Sequence, residues 1–194
     1  MSTENIKNYI KVSDLLITGG QPSEQQVRDA AAEGFAVVVN LATISPRYSL
    51  PDEEGLVRSL GMEYYHIPVV WDDPKASDFA AFDQLMGALG ARKTLLHCAA
   101  NYRVTAFYAL YAMKRLGWSE AAADDFMAQV WRGSDYPIWQ RFITDMKAAI
   151  LHERQAATEA AALDAFFAGY DRSRALFETV RSAINSLGPV DMRV

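Results

Sequence analysis

Short runs of β-branched residues alternate with helical stretches through the first half of the chain. The clearest run, residues 36–41, is nearly all valine, which is typical of a strand buried on both faces of a sheet. Residues 15–18, 62–70 and 94–96 are the other predicted strands, and segments with helical spacing lie between them. Because strands that alternate with helices pair through crossover connections, this order predicts a sheet with crossover helices rather than a helical bundle.

Local signals place the first helix and the breaks among the later ones. Ser23 stands at a predicted helix N-terminus, and Gln26 follows three residues later, at the spacing of a capping box. After residue 103 the pattern is helical almost to the end, with breaks at 118–120 and 133–137. The second half of the chain is therefore predicted to be mostly helical.

Aromatic residues are dense in this second half, at Trp118, Phe126, Trp131, Tyr136, Trp139 and Phe142. Such a cluster either forms the wall of a substrate site or packs in the core. The helical spacing from residue 126 to residue 142 favours core packing.

The last segment differs from the rest in its period. Apolar residues recur there every seven positions, at Leu163, Tyr170, Phe177 and Ile184. This is the spacing of a packing helix, which either covers its own domain or forms a homodimer. Gly169 weakens the helix, so a long independent coiled coil is not expected. We predict two parts, a main domain at 1–150 and a helical extension at 151–194.

Charge and cysteine content exclude several classes of protein. The chain has 24 acidic and 19 basic residues and a formal net charge of -5, which gives no electrostatic footprint for nucleic acid or an anionic membrane. Its single cysteine rules out a disulfide within the chain. The first 11 residues lack the apolar run of a signal peptide, and no later stretch approaches the length of a membrane helix. We therefore expect a cytoplasmic protein.

The residues with chemically reactive or charged side chains lie between the predicted strand at 94–96 and the helix after it. The strand delivers Cys98 to its carboxyl end, and a helix begins near Arg103. Open α/β sheets bind ligands at this edge. Amides at a helix N-terminus, together with a guanidinium, favour a thiolate and hold tetrahedral oxyanions. A lone cysteine is usually a small buried hydrophobe, but Arg103 in an otherwise apolar helix indicates an anion-binding or nucleophilic site.

This segment resembles a known signature. The run from His97-Cys98 to Arg103, followed by Thr105, is similar to the active loop of cysteine-dependent protein tyrosine and dual-specificity phosphatases. Other segments resemble the same family in the same order, at 19–23 (Gly-Gly-Gln-Pro-Ser), 34–41 and 65–69. The resemblance is to a bacterial subgroup of phosphatase-like proteins and covers about residues 12–145, which implies that the main domain at 1–150 is phosphatase-like.

The resemblance implies both a fold and a mechanism. The fold is a short, mostly parallel α/β sheet flanked by helices, like that of the dual-specificity phosphatases, with the C-terminal helical extension added. Cys98 attacks phosphorus to give a phosphocysteine, and Asp72, or as second choice Asp73, protonates the leaving oxygen. The equatorial oxygens of the phosphoryl group are held by the loop, at Ala99, Ala100, Asn101, Tyr102 and Arg103.

Supporting roles follow from the same resemblance. Thr105 is placed to steady the departing thiolate, although in the family the hydroxyl residue follows the arginine directly. His97 is expected to hydrogen-bond the loop backbone. No metal is expected, since His97 has no second ligand at the spacing of a metal site, and no cofactor is implied. The expected partner is a phosphorylated protein or a small phosphate ester.

The loop departs from the phosphatase pattern in its length. Four residues separate Cys98 from Arg103 where the family has five, and the glycine usual in the middle of the loop is absent. Asn101 is among the few residues that accept a left-handed conformation at small cost. A six-residue loop is similar to that of rhodaneses, whose cysteine carries a persulfide.

Three functions are therefore left open. We favour phosphomonoester hydrolysis, because residues 19–23 and the acidic turn have no evident task in sulfur transfer. A rhodanese-like sulfurtransferase and a non-catalytic phosphate- or anion-binding regulatory module are the alternatives. The placement of Asp72 and Asp73 bears on the last of these, since binding does not need a proton donor and efficient hydrolysis does.

Overall fold

The computed structural model describes residues 2–186. The chain divides into two compact units, one ending at Ile150 and the other starting at Leu151. The first unit contains the whole sheet and all the candidate site residues, whereas the described part of the second unit, 151–186, is helical.

Among the described residues, five short strands form one sheet in the order β1-β2-β5-β3-β4. Their bounds are β1 Ile10–Ser13, β2 Leu16–Gly19, β3 Val37–Asn40, β4 Glu63–His66 and β5 Thr94–His97. The edge strand β1 pairs antiparallel with β2, and the other pairings are parallel. The predicted mostly parallel α/β fold is confirmed. Strand β1 was not predicted, because its residues alternate between partly buried and exposed and so form no continuous apolar run.

Within the part of the chain that the structure describes, seven α-helices surround or follow the sheet. Their bounds are α1 Glu24–Ala32, α2 Glu53–Ser59, α3 Ala76–Leu89, α4 Tyr102–Arg115, α5 Glu120–Ala128, α6 Pro137–Phe166 and α7 Asp171–Asn185, and short 3₁₀ helices lie at Thr3–Asn5 and Gly133–Asp135. The capping box of α1 is confirmed, because the backbone amide of Gln26 donates to Ser23 Oγ and that of Ser23 donates to Gln26 Oε1. The predicted breaks between the later helices are also present.

The predicted strand at 62–70 is too long. Strand β4 ends at His66, and the chain then passes through Pro68, which has no amide hydrogen for a sheet ladder. Residues on either side of the proline still donate to the neighbouring strand end, Ile67 to the Asn40 carbonyl and Val69 to the Leu41 carbonyl. The segment therefore follows the sheet without being a regular strand of it.

The core lies on both faces of the sheet, as the valine run predicts. Val37 and Val39 of β3 point into the larger apolar cluster, which α3, α4, α5 and the first part of α6 cover. Val38 points into a smaller cluster with residues of α1 and α2. Each of the three valines is fully buried. Burial on both faces fixes the register of this central strand, since a slip by one residue would exchange the two clusters.

The second unit contains the end of α6 and helix α7. Gly169 has a φ of 80°, a left-handed conformation that favours glycine, and it lies in the turn where the predicted heptad series is interrupted. Phe167 of the turn packs on Phe177 of α7, with their ring centroids 5.4 Å apart. A homodimer through this region stays a prediction, and the predicted extension also includes residues 187–194, which lie outside the described residues. Among the residues described, no helix has both the length and the apolarity to cross a membrane.

Candidate functional site

The candidate site lies at the carboxyl edge of the parallel strands. Cys98 follows β5 directly, is fully buried, and donates its backbone amide to the Gly19 carbonyl at the end of β2. Helix α4 begins four residues later at Tyr102 and carries Arg103 in its first turn. The sheet and the helix thus bring the thiol and the guanidinium to one place, at the positive end of the α4 dipole.

A cavity of about 400 Å³ opens at this place. It is lined by Thr43, Tyr48, Trp71, Cys98, Ala99, Ala100, Tyr102 and Arg103. The volume suits a small ligand, and three of the lining side chains are aromatic. Residues of the candidate loop therefore share the cavity with residues from the segments that follow β3 and β4.

Arg103 is a buried cation that lacks an anionic partner in the described structure. The residue is only 6% exposed, and its Nε makes no hydrogen bond with the residues described. The guanidinium carbon lies 5.3 Å from the centre of the Trp71 ring, a cation–π contact. Burying a charge without a paired anion is costly, so this arrangement favours an anion in the cavity.

Asn101 has the backbone conformation that the sequence allows. Its φ is 65°, in the left-handed region, at the position directly before α4. The loop from Cys98 to Arg103 thus makes its sharp turn without a glycine. Ala99 and Ala100 are half-buried and line the cavity.

The two predicted proton donors lie outside this cavity. Asp72 and Asp73 are exposed and line a neighbouring depression together with residues of α6. Asp73 forms an ion pair with Lys75 at 3.1 Å, whereas Asp72 makes no hydrogen bond or ion pair with the residues described. Trp71, directly before them, is held by a hydrogen bond from Trp139 Nε1 to its carbonyl at 2.9 Å.

The Thr105 hydroxyl makes hydrogen bonds to the loop and to an aromatic residue of the core. Its hydroxyl donates to the carbonyls of Asn101 at 2.9 Å and Tyr102 at 3.1 Å, and it accepts a hydrogen bond from Trp131 Nε1 at 3.0 Å. Steadying a thiolate at Cys98 would require the hydroxyl proton to leave these carbonyls. The role predicted for Thr105 therefore stays a prediction.

His97 does not make the predicted hydrogen bond to the loop backbone. Neither ring nitrogen has a hydrogen-bond partner in the described structure, and Nε2 lies 3.2 Å from Oε1 of Glu53. Both side chains are buried beneath the loop. The imidazole faces Glu53 instead of the loop because the first residue of α2 places its carboxylate at the ends of the strands, where it attracts the ring.

Glu53 is the functional candidate that sequence reasoning missed. Its carboxylate accepts hydrogen bonds from Gln21 Nε2 at 2.7 Å, Asn40 Nδ2 at 2.8 Å and the Tyr64 hydroxyl at 3.1 Å. Burial alone would raise the pKa of Glu53, but the charge of His97 and the hydrogen bonds to the carboxylate outweigh it and lower the pKa. Burial and the charge of Glu53 raise the pKa of Tyr64.

No local sequence signal identifies this cluster. Glu53 occupies the first position of a short helix, where an acidic residue normally interacts with the helix dipole at the surface. Its partners lie in β3, β4 and β5 and just beyond the end of β2, so only the assembled sheet brings them together.

The aromatic residues of the second half both fill the core and support the cavity. Trp131 and Trp139 are buried, which agrees with core packing. Trp131 also stacks on Tyr102, with a centroid distance of 5.1 Å and an angle of 6° between the rings. Trp71 contacts Trp139 at 5.1 Å. The cavity wall formed by Trp71 and Tyr102 therefore rests on the aromatic core.

Within residues 2–186, no group of three or more His, Cys, Asp or Glu residues is arranged to hold a metal ion. The donor set at the cavity itself is a thiol and a guanidinium, which suits an anion better than a divalent cation.

The chain is similar to several solved structures. A DUF442 protein from Shewanella putrefaciens CN-32 is 35% identical, with a TM-score of 0.69 over 75% of this chain and 92% of that one. P. aeruginosa TpbA is 19% identical, with a TM-score of 0.60 over 75% of this chain and 90% of that one. Kinase associated phosphatase is 15% identical, with a TM-score of 0.61 over 70% of this chain and 87% of that one.

No family model matches the sequence, and a search of curated proteins finds no match. The likeness to TpbA and to kinase associated phosphatase concerns the fold, and it confirms the predicted resemblance to dual-specificity phosphatases. The likeness to the Shewanella protein extends to sequence over almost the whole of that protein, so the chain belongs to the DUF442 family of phosphatase-like proteins.

Proposed function

We propose that this protein hydrolyses phosphomonoesters through a phosphocysteine at Cys98. The observation that carries the proposal is the buried, unpaired Nε of Arg103 beside a cavity that Cys98 also lines. A phosphoryl group in the cavity would supply the anion that Arg103 lacks, and its phosphorus would then be near the thiolate. A complex of TpbA with phosphotyrosine is known, which supports a phosphate ester as the ligand class.

The chemical steps follow from this placement. The Cys98 sulfur forms a bond to phosphorus as the ester oxygen leaves with the bonding electron pair, and Arg103 and the loop amides stabilise the charge on the equatorial oxygens. Water then attacks the phosphocysteine, releasing inorganic phosphate and restoring the thiol. The leaving oxygen takes its proton from Asp72 or Asp73 in this proposal.

Because the two carboxylates lie outside the cavity, protonation of the leaving oxygen is the least supported step of the proposed reaction. Neither carboxylate lines the cavity, and the hydrogen bond from Trp139 restrains Trp71 directly before them. Asp72 is the stronger candidate, since Asp73 is paired with Lys75. We expect the enzyme to favour esters whose leaving group departs without full protonation, such as activated aryl phosphates.

The same observation favours a second candidate, a phosphate-binding module without turnover. Anion binding requires Arg103 and the loop but no proton donor. A binding module would keep the cavity and its cation while leaving the acidic turn outside, which is the arrangement seen around Asp72.

The decisive experiment offers the purified protein an activated aryl phosphate and, separately, thiosulfate with cyanide as the acceptor. Phosphate release that is lost in Cys98→Ser supports the hydrolase. Thiocyanate formation without phosphate release would instead support sulfur transfer, which the six-residue loop also permits. Saturable binding of inorganic phosphate without either reaction would support the binding module, and hydrolysis that survives in Cys98→Ser would contradict the proposed mechanism.

A further inference from the structure

Two asparagines with positive φ contact each other beside the candidate loop. Asn8 has a φ of 53° and Asn101 a φ of 65°, and within residues 2–186 no other residue except glycine has a positive φ. The Asn101 side-chain amide donates to the Asn8 carbonyl at 2.6 Å and to Thr18 Oγ1 at 2.9 Å. Such conformations persist where surrounding contacts hold them, and they cluster at functional sites.

The N-terminal turn also holds the loop from the other direction. Asn8 Nδ2 donates to the Ala100 carbonyl at 2.9 Å. The preceding carbonyl, that of Ala99, accepts from the backbone amide of Gln21 at 3.3 Å. Because the carbonyl and the amide hydrogen of a trans peptide point in opposite directions, the amide of Ala100 is directed away from Gln21. Two successive carbonyls of the loop are thus held by groups outside it.

The packing between these segments is close at Gly19 and Gly20. Gly20 donates its amide to the Lys7 carbonyl at 2.7 Å. A Cβ atom at Gly20 would lie 3.1 Å from the Ala99 carbonyl oxygen and 3.2 Å from the Lys7 carbonyl oxygen. A Cβ atom at Gly19 would lie 2.5 Å from Ile6. The end of β2 is therefore confined between the N-terminal turn and the candidate loop.

We propose that Asn8 is a positioning residue that holds the Cys98–Arg103 loop in its anion-binding shape. A four-residue spacer without glycine has little freedom to reach this shape alone, so hydrogen bonds from outside the loop set it. Asn8 fulfils this role twice, because its side chain holds the Ala100 carbonyl and its own carbonyl holds Asn101. The inference rests on the proposed function, since it assumes that the loop binds phosphate.

The experiment compares two substitutions at Asn8. Asn8→Gly keeps the left-handed conformation and removes the side-chain donor, and we expect the dissociation constant of inorganic phosphate to rise about three- to tenfold. Asn8→Asp keeps the size and the tolerance of positive φ but places a carboxylate oxygen against the Ala100 carbonyl, so we expect a rise of at least tenfold. Phosphate binding is followed by tryptophan fluorescence, since Trp71 lines the cavity.

The matched control is Asn5→Asp, which adds the same charge to an exposed residue of the same segment. It should leave phosphate binding unchanged. We also expect kcat to fall together with phosphate affinity in the Asn8 variants, at a temperature where circular dichroism shows all of them folded. A merely structural role would lower the unfolding midpoint and leave both quantities unchanged.

The outcomes separate this inference from the proposed function. Weaker phosphate binding in both Asn8 variants, with the Asn5→Asp control unchanged, supports the positioning role. Unchanged phosphate binding and kcat in folded Asn8 variants would overturn the positioning role and leave the proposed function standing. If the unmodified protein does not bind phosphate at all, the anion site itself is refuted, and the positioning role with it.

Discussion

The two halves of the candidate site differ in how firmly the fold holds them. Cys98 and Arg103 are buried where β5 meets α4. Asp72 and Asp73 are exposed on a turn, and the ion pair of Asp73 with Lys75 is a surface pair, a kind that contributes ~0–1 kcal/mol. The half that we propose to hold the anion is thus buried, and the half that we propose to donate the proton is exposed. In the proposed reaction, binding and turnover therefore depend on different parts of the molecule, and we expect substitutions to separate them.

The largest effect is expected at Arg103. Arg103→Met keeps much of the side-chain volume and removes the charge and the donors, so we expect the affinity for phosphate and kcat/KM each to fall by roughly 100-fold or more. Phosphate binding and steady-state hydrolysis of an aryl phosphate measure both. Arg58→Met, on the surface of α2, is the matched control and should change neither. An Arg103→Met variant that binds phosphate normally would show that the buried half is not the anion site.

The next largest effect is expected in the exposed half of the site, at Asp72. We expect Asp72→Asn to lower kcat for an alkyl phosphate by roughly 10- to 100-fold, because the poor leaving group needs a proton, and to change kcat for an activated aryl phosphate much less. Phosphate binding should stay unchanged in both cases. Asp73→Asn is the matched comparison, and a larger loss there would reverse the order of the two candidates. Equal, small effects of both variants on both esters would remove the turn from the mechanism.

A third effect, on stability, is expected at Glu53, which is buried beneath the loop. The Glu53 carboxylate accepts several buried hydrogen bonds. In Glu53→Gln, an NH2 group replaces one carboxylate oxygen and faces side chains that are themselves donors. We expect the free energy of unfolding in urea at pH 7 to fall by about 2–3 kcal/mol. Glu54→Gln, one residue away on the exposed side of α2, is the control and should cost less than about 0.5 kcal/mol.

The same variant has a signature in its pH dependence. The pKa of Glu53 is lowered in the folded state, so its contribution to stability is complete above its ordinary value of 4.5 and is lost as the pH falls toward the lowered value. The stability of the unmodified protein should therefore decline more steeply below about pH 4.5 than that of Glu53→Gln. Parallel stability curves for the two proteins in this range would contradict the lowered pKa.

The smallest effect is expected from metal removal. The proposed reaction uses a thiolate, a guanidinium and backbone amides, so a chelator such as EDTA should leave kcat/KM for an aryl phosphate unchanged. The control is re-addition of a divalent cation after dialysis, which should also have no effect. A loss on chelation that the cation restores would place a metal in the reaction.

The buried half of the site could be predicted from sequence because its signals are local. A continuous valine run marks the central strand, Ser23 and Gln26 mark a helix start, and the spacing from Cys98 to Arg103 marks a strand–turn–helix edge. Each pattern depends on neighbours within a few residues, where periodicity and capping rules apply.

The supports of the loop could not be predicted because they join distant parts of the chain. Asn8 contacts a residue 93 positions away, and Glu53 is buried only once four strands bring their ends together. The predicted strand at 62–70 was too long for a related reason. Apolar residues continue past Pro68, but they contact the sheet edge without regular pairing, a distinction that hydrophobicity alone does not make.

The most direct test of the central claim is to trap the covalent intermediate. The protein is mixed with an activated aryl phosphate, quenched rapidly in acid, digested and examined by mass spectrometry. We expect a phosphorylated peptide in which Cys98 carries the phosphoryl group, and we expect it to be absent in Cys98→Ser. Hydrolysis of the ester with no phosphorylation of Cys98 at any quench time, or with the phosphoryl group on another residue, would contradict the account.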